Sequence, residues 1–114
     1  MTNQHANLTS VLNEQVDKLT ALSQLLDREL HLISSRDAEA LMTLLEEKTQ
    51  LLEEIQILDT TAESMFAKGQ SYTEEDDALT DKAKTLLDDC KYRTQVNQKA
   101  VEQGQLRLTH LRNL

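Results

Sequence analysis

Apolar residues recur along this chain at intervals of three and four, the spacing that gathers them on one face of an α-helix. Three stretches carry the pattern. In residues 6–34, Leu8, Val11, Leu12, Val16, Leu19, Leu22, Leu26, Leu30 and Ile33 fall on one side of a helical wheel. In residues 38–68, a seam of Leu41, Leu45, Lys48, Leu52, Ile55, Asp59, Ala62 and Phe66 alternates by four and three. A parallel row of Leu44, Leu51, Leu58 and Met65 lies one position away. Such a stripe is wide enough to meet two neighbouring helices. In residues 74–112 the seam reads Leu79, Ala83, Leu86, Cys90, Arg93, Asn97, Val101, Gly104, Leu108 and Leu111.

The interruptions have turn chemistry. Ser34, Ser35 and Asp37 are N-cap types, and Asp37 and Glu39 suit the positive end of a helix that begins there. Gly69 stands where a helix C-terminus takes a left-handed residue. Thr73 followed by Glu74, Glu75 and Asp76 reads as a cap and an acidic first turn. The expected fold is therefore all-α: a single domain, residues 1–114, of three long helices in an antiparallel, coiled-coil-like bundle. Pairing about residues 35–36 and again through the 69–73 loop sets Lys48 level with Ser23 and with the Arg93–Asn97 turn. Ser23, Lys48 and Asn97 then form one polar layer that disfavours slipped registers. The other reading of Lys48 is that it snorkels to water, Glu29 or Asp27. On the same pairing Leu108 is level with the 34–37 turn, so the third helix overhangs at its C-terminal end. Leu52, as a seam residue, is expected to cost ~2–5 kcal/mol when cut to alanine.

Composition narrows the function. The chain has no Pro, two Gly, no Trp and three other aromatics, so leucine layers between helices must supply the core. Its net charge is −8, unevenly spread. Residues 1–90 carry 19 acidic and 7 basic residues, a net of −12, while residues 91–114 carry five basic residues and Glu102, a net of +4. An acidic body repels phosphate backbones, so no nucleic-acid partner is expected. The basic end suits an acidic partner or the acidic body itself. A single cysteine, Cys90, fits a reducing cytoplasm. The first residues lack a basic n-region and an apolar h-region, and no apolar run approaches ~18 residues, so neither a signal peptide nor a membrane span is expected.

The sequence does not read as an enzyme. His5, His31 and His110 lie on different segments, and none follows a carboxylate by three. There is no HExxH, no CxxC and no glycine-rich phosphate loop. "DTTAESMFAKGQ" opens like a calcium loop but lacks its mid-loop glycine and terminal glutamate. Adjacent acids such as Glu46-Glu47 and Asp88-Asp89 point ~100° apart on a helix and do not converge. Cys90 sits on an apolar seam and reads as a structural thiol. No cofactor and no metal are expected.

Two segments carry a resemblance. "LLDRELHLISSRDAEALMTLLEEKTQLLEEIQIL" and "LLDDCKYRTQVNQKAV", with Asp37, Lys48 and Asn97 at their positions, resemble the FlgN family of flagellar type III export chaperones. The resemblance implies a cytosolic chaperone that binds hook–filament junction proteins at their C-terminal helices, keeps them unassembled and passes them to an export gate component. It also implies client binding at the C-terminal helix and tail. The periodicity points to the same end, where seam leucines and arginines outrun the first hairpin: Gly104, Arg107, Leu108, Leu111, Arg112 and Leu114 are the candidate client-binding residues. The alternatives at that end are fraying or pairing in a homodimer. For the whole protein, the alternative function is a structural coiled-coil adaptor with a stable cytosolic partner.

Overall fold

The computed structural model describes residues 7–113, apart from the side chains of residues 106–109. It contains three helices, α1 (Leu8–Ser35), α2 (Ala38–Ala67) and α3 (Glu74–Arg112), and no strand among the described residues. The body measures 64 × 26 × 18 Å. Its long axis follows α3, whose 39 residues rise about 58 Å at 1.5 Å each.

Each boundary has a local cause. Asn7 caps α1 in a reciprocal box with Ser10, whose backbone N–H donates to Asn7 Oδ1 at 2.9 Å. α1 and α2 end alike. At α1, Arg36 N–H donates to Ile33 O and Asp37 N–H to Leu32 O; at α2, Gly69 and Gln70 do the same to Phe66 and Met65. Both closures need a left-handed residue, supplied by Arg36 (φ 58°) and Gly69 (φ 80°). Glycine adopts that conformation without steric cost, whereas arginine does not. Asp37 then caps α2, its Oδ1 accepting from Ala40 N–H at 3.0 Å.

Thr73 and Asp76 open α3 as a second reciprocal cap. Thr73 N–H donates to Asp76 Oδ2 at 3.0 Å, and Asp76 N–H donates to Thr73 Oγ1 at 3.1 Å. Asp76 is 1% exposed and also accepts from the Thr9 hydroxyl, tying the start of α3 to the start of α1. Across the loop, Phe66 and Tyr72 meet edge to face at 5.7 Å.

α1 is the central helix. It packs antiparallel on α2, through Lys18–Glu54, Arg28–Glu47 and Glu29–Lys48, and parallel to α3 at an offset of 66–71 residues. α2 and α3 do not pack on each other. This differs from the expected pairing of α2 with α3 through the 69–73 loop. The reason is the breadth of the α1 stripe: Leu8, Val11, Leu12, Val16, Leu19, Leu22, Leu25 and Leu26 are all buried, enough to serve two partners from one helix. The core is Leu22, Leu25, Leu26, Leu44, Leu51 and Cys90.

The α2 register corrects one expectation. Leu44 and Leu51 face α1 and are buried, while Leu45 and Leu52 of the adjacent row turn aside and are 53% and 46% exposed; Ile55 of that row still packs against the core. Leu52 is therefore not a core seam residue, and its truncation costs well under the ~2–5 kcal/mol of a buried leucine. Leu51 occupies the position with that cost.

Candidate functional site

The three polar seam residues do not form one layer. Lys48 and Asn97 meet through Glu29 of α1: Lys48 Nζ donates to Oε2 at 3.0 Å and to Oε1 at 3.3 Å, and Asn97 Nδ2 donates to Oε1 at 2.7 Å. Asn97 Nδ2 also reaches Leu26 O at 2.9 Å. Ser23 lies in a different network, where its hydroxyl donates to Asp89 Oδ2 at 2.6 Å. Arg93 Nε donates to the same oxygen at 2.9 Å, and Arg93 Nη1 lies 3.4 Å from Asp27 Oδ1. Six residues of α1 separate Ser23 from Glu29, a rotation of about 240°, so the two point to different sides of the helix.

Glu29 is thus the hub that seam counting passed over. Its position three residues after Leu26 and four before Ile33 is the signal that marks it. It joins all three helices, because α2 supplies Lys48 and α3 supplies Asn97. Both side chains of the ion pair are mostly withdrawn from water. No buried side-chain polar atom among the described residues lacks a partner.

The electrostatics follow these contacts. The Ser23 hydroxyl, then Arg93, hold the Asp89 carboxyl below its ordinary range. The Thr9 hydroxyl, then the Thr73 backbone, do the same for Asp76. Asp89 in turn holds the Arg93 guanidinium above its usual value. Burial, followed by the charge of Asp89, pushes the Cys90 thiol up, and its sulfur lies 3.7 Å from Leu19 O. Such a thiol is a packing group and a poor nucleophile.

The α1/α3 offset places residues 101–106 level with Ser35, so the rest of α3 runs past the first hairpin. On this stretch Leu111 is 63% exposed, Val101 is 42% exposed and Arg112 is exposed. A Cβ built on Gly104 meets nothing within 4 Å among the described residues, so no contact among them demands glycine there. Arg107 and Leu108 belong to the α3 backbone, but their side chains lie outside the described residues, as does all of Leu114.

A second surface was not foreseen from the sequence. The gap between α2 and α3 is a groove of about 470 Å³ floored by Leu12 and Leu19 of α1 and walled by Leu52, Ile55, Ala83 and Leu87. It is the space that the second apolar row of α2 faces. The doubled stripe of α2 was the available signal.

These surfaces suit protein binding. Among the described residues no group of three or more His, Cys, Asp or Glu is placed to hold a metal ion, and no helix is long and apolar enough to cross a membrane. The profile of one known family, described as FlgN protein, matches residues 1–114, the full length of the chain. The chain belongs to the FlgN family. FlgN proteins are flagellar export chaperones that bind flagellar proteins. No curated protein and no solved structure matches the chain.

Proposed function

We propose that this FlgN protein acts in the cytoplasm as the chaperone of hook–filament junction proteins, holding their C-terminal helices and passing them to a component of the export gate. The end of α3 is the client site, with Gly104, Arg107, Leu108, Leu111, Arg112 and Leu114 as its residues. The observation that carries this reading is the run of α3 beyond the hairpin with Leu111 exposed on it. An exposed helical stripe with basic flanks is the surface onto which another amphipathic helix packs. The role is one of binding and delivery, with no catalytic step.

Calorimetry with the C-terminal helix of a junction protein from the same organism tests it. Leu108→Asp with Leu111→Asp should abolish binding and leave the melting curve almost unchanged. Undiminished binding would place the client elsewhere on the protein.

A further inference from the structure

The groove between α2 and α3 is an apolar surface that the fold leaves without a partner among the described residues. Its walls are acidic helices: α2 carries seven acidic residues and one lysine, and residues 74–90 carry seven acidic residues and two lysines. What fills it must be an amphipathic helix of basic character, with one narrow apolar stripe. Opposite charge along the flanks steers and orients such a helix. The chain contains one segment of that description. Residues 91–114 reverse the charge to +4, and Val101, Gly104, Leu108 and Leu111 repeat by three and four among Lys99, Arg107 and Arg112.

We propose that the groove receives a second copy of this chain: residues 101–112 of each protomer lie in the α2/α3 groove of its partner. Lengths agree. The groove spans Leu52–Asp59 and Thr80–Leu87, about two helical turns, and residues 101–112 make about three. Gly104 lies mid-stripe with open space at its Cβ position, and small Ala83 lines the groove wall, so two backbones can approach closely there. A chain cannot fill its own groove in this way, because its α3 is one unbroken helix from the groove wall to Arg112 and does not fold back. A twofold axis near residue 95 of α3, midway between groove and end, makes both contacts at once. A shallower depression lined by Ile33, Lys48, Gln98 and Val101 continues the α2/α3 gap across that level. The contact needs no client. It uses the same α3 end that the proposed function assigns to the client, so dimer and client complex exclude each other.

Sedimentation equilibrium of the full chain, alone and in buffers of rising salt, reads this directly. The expected result is a dimer whose dissociation constant rises about tenfold or more from low to high ionic strength. Leu52→Asp with Leu87→Asp, both on side chains about half exposed, should give a monomer of unchanged helicity. In a Cys90→Ala background, mixing a Leu87→Cys chain with a Gln103→Cys chain, positions that a twofold axis near residue 95 sets opposite each other, should yield disulfide-linked heterodimers. A monomer at all concentrations, a dimer that survives the double-Asp change, or cross-linking no greater in the mixture than in either chain alone would overturn the inference. A monomeric chain that still binds the junction-protein helix overturns it and leaves the proposed function standing. If the double-Asp change removes binding of that helix from a monomeric chain, the groove belongs to the client.

Discussion

α1 and α2 are nearly equal in length, 28 and 30 residues, and both are rich in leucine, yet α1 buries eight residues and α2 buries two. The difference is one of position. α1 lies between two helices and is covered on both flanks, whereas α2 touches α1 alone and leaves Leu45, Leu52 and Ile57 about half exposed or more. Hydrophobicity along a helix thus sets how much surface could be buried, and the arrangement of the other helices sets how much is. In a binding protein the unclaimed remainder is the useful part, because it stays available to another chain.

The sharpest test of that contrast is a pair of leucine truncations. Leu25→Ala, at a side chain 1% exposed within the core cluster, should cost ~2–5 kcal/mol in chemical denaturation. Leu52→Ala should cost about 1 kcal/mol or less, since nearly half of that side chain is already in water. Equal losses would mean that α2 is covered as fully as α1.

The Glu29 hub gives the next effect. Glu29→Ala strands a shielded Lys48 ammonium and removes one acceptor from Asn97, and should cost about 1–3 kcal/mol. Replacing both Glu29 and Lys48 by leucine should be close to neutral, because the desolvation of both charges disappears with their attraction. A double change as costly as the single one would show that the pair is worth more than its desolvation.

Acid should distinguish the α1/α3 junction from the α1/α2 junction. Asp76 and Asp89 both sit in α3, hold α1 hydroxyls and have carboxyl pKa values below the ordinary range. In the unfolded chain they titrate near ~3.9. Their stabilisation is therefore complete above that value and is lost as pH falls through the lower folded values. Thr9→Val and Ser23→Ala should each destabilise more at neutral pH than in acid below the unfolded carboxyl value, the penalty shrinking as the folded carboxylates take up protons. A penalty independent of pH would assign the effect to packing.

The smallest expected change is at Gly104. With space for a Cβ and helical backbone on both sides, Gly104→Ala should stabilise α3 by about 0.5–1 kcal/mol in the monomer. If another helix packs closely there, the same substitution should weaken that association, which sedimentation would show.

The repeat of three and four, the Asp37 and Thr73 caps and the left-handed Gly69 are local matters of helix sterics and hydrogen bonding, so they were legible in the order of residues. The α3 overhang was legible too, because helix lengths and loop positions fix where the shorter partners end. The choice of inward row on α2 was not. Two adjacent leucine rows are equivalent in a helix by itself, and only the placement of α1 made Leu44 and Leu51 the core, left Leu52 to the groove and left Leu45 exposed. For the same reason Lys48 could be assigned to a polar level from its spacing, but the choice among Glu29, Asp27 and water as its partner could not be made, and it fell to Glu29. Which carboxylate answers a buried ammonium depends on the rotation of α1 between its neighbours, a tertiary quantity that put Glu29 beside Lys48 and Asn97 and turned Ser23 toward Asp89.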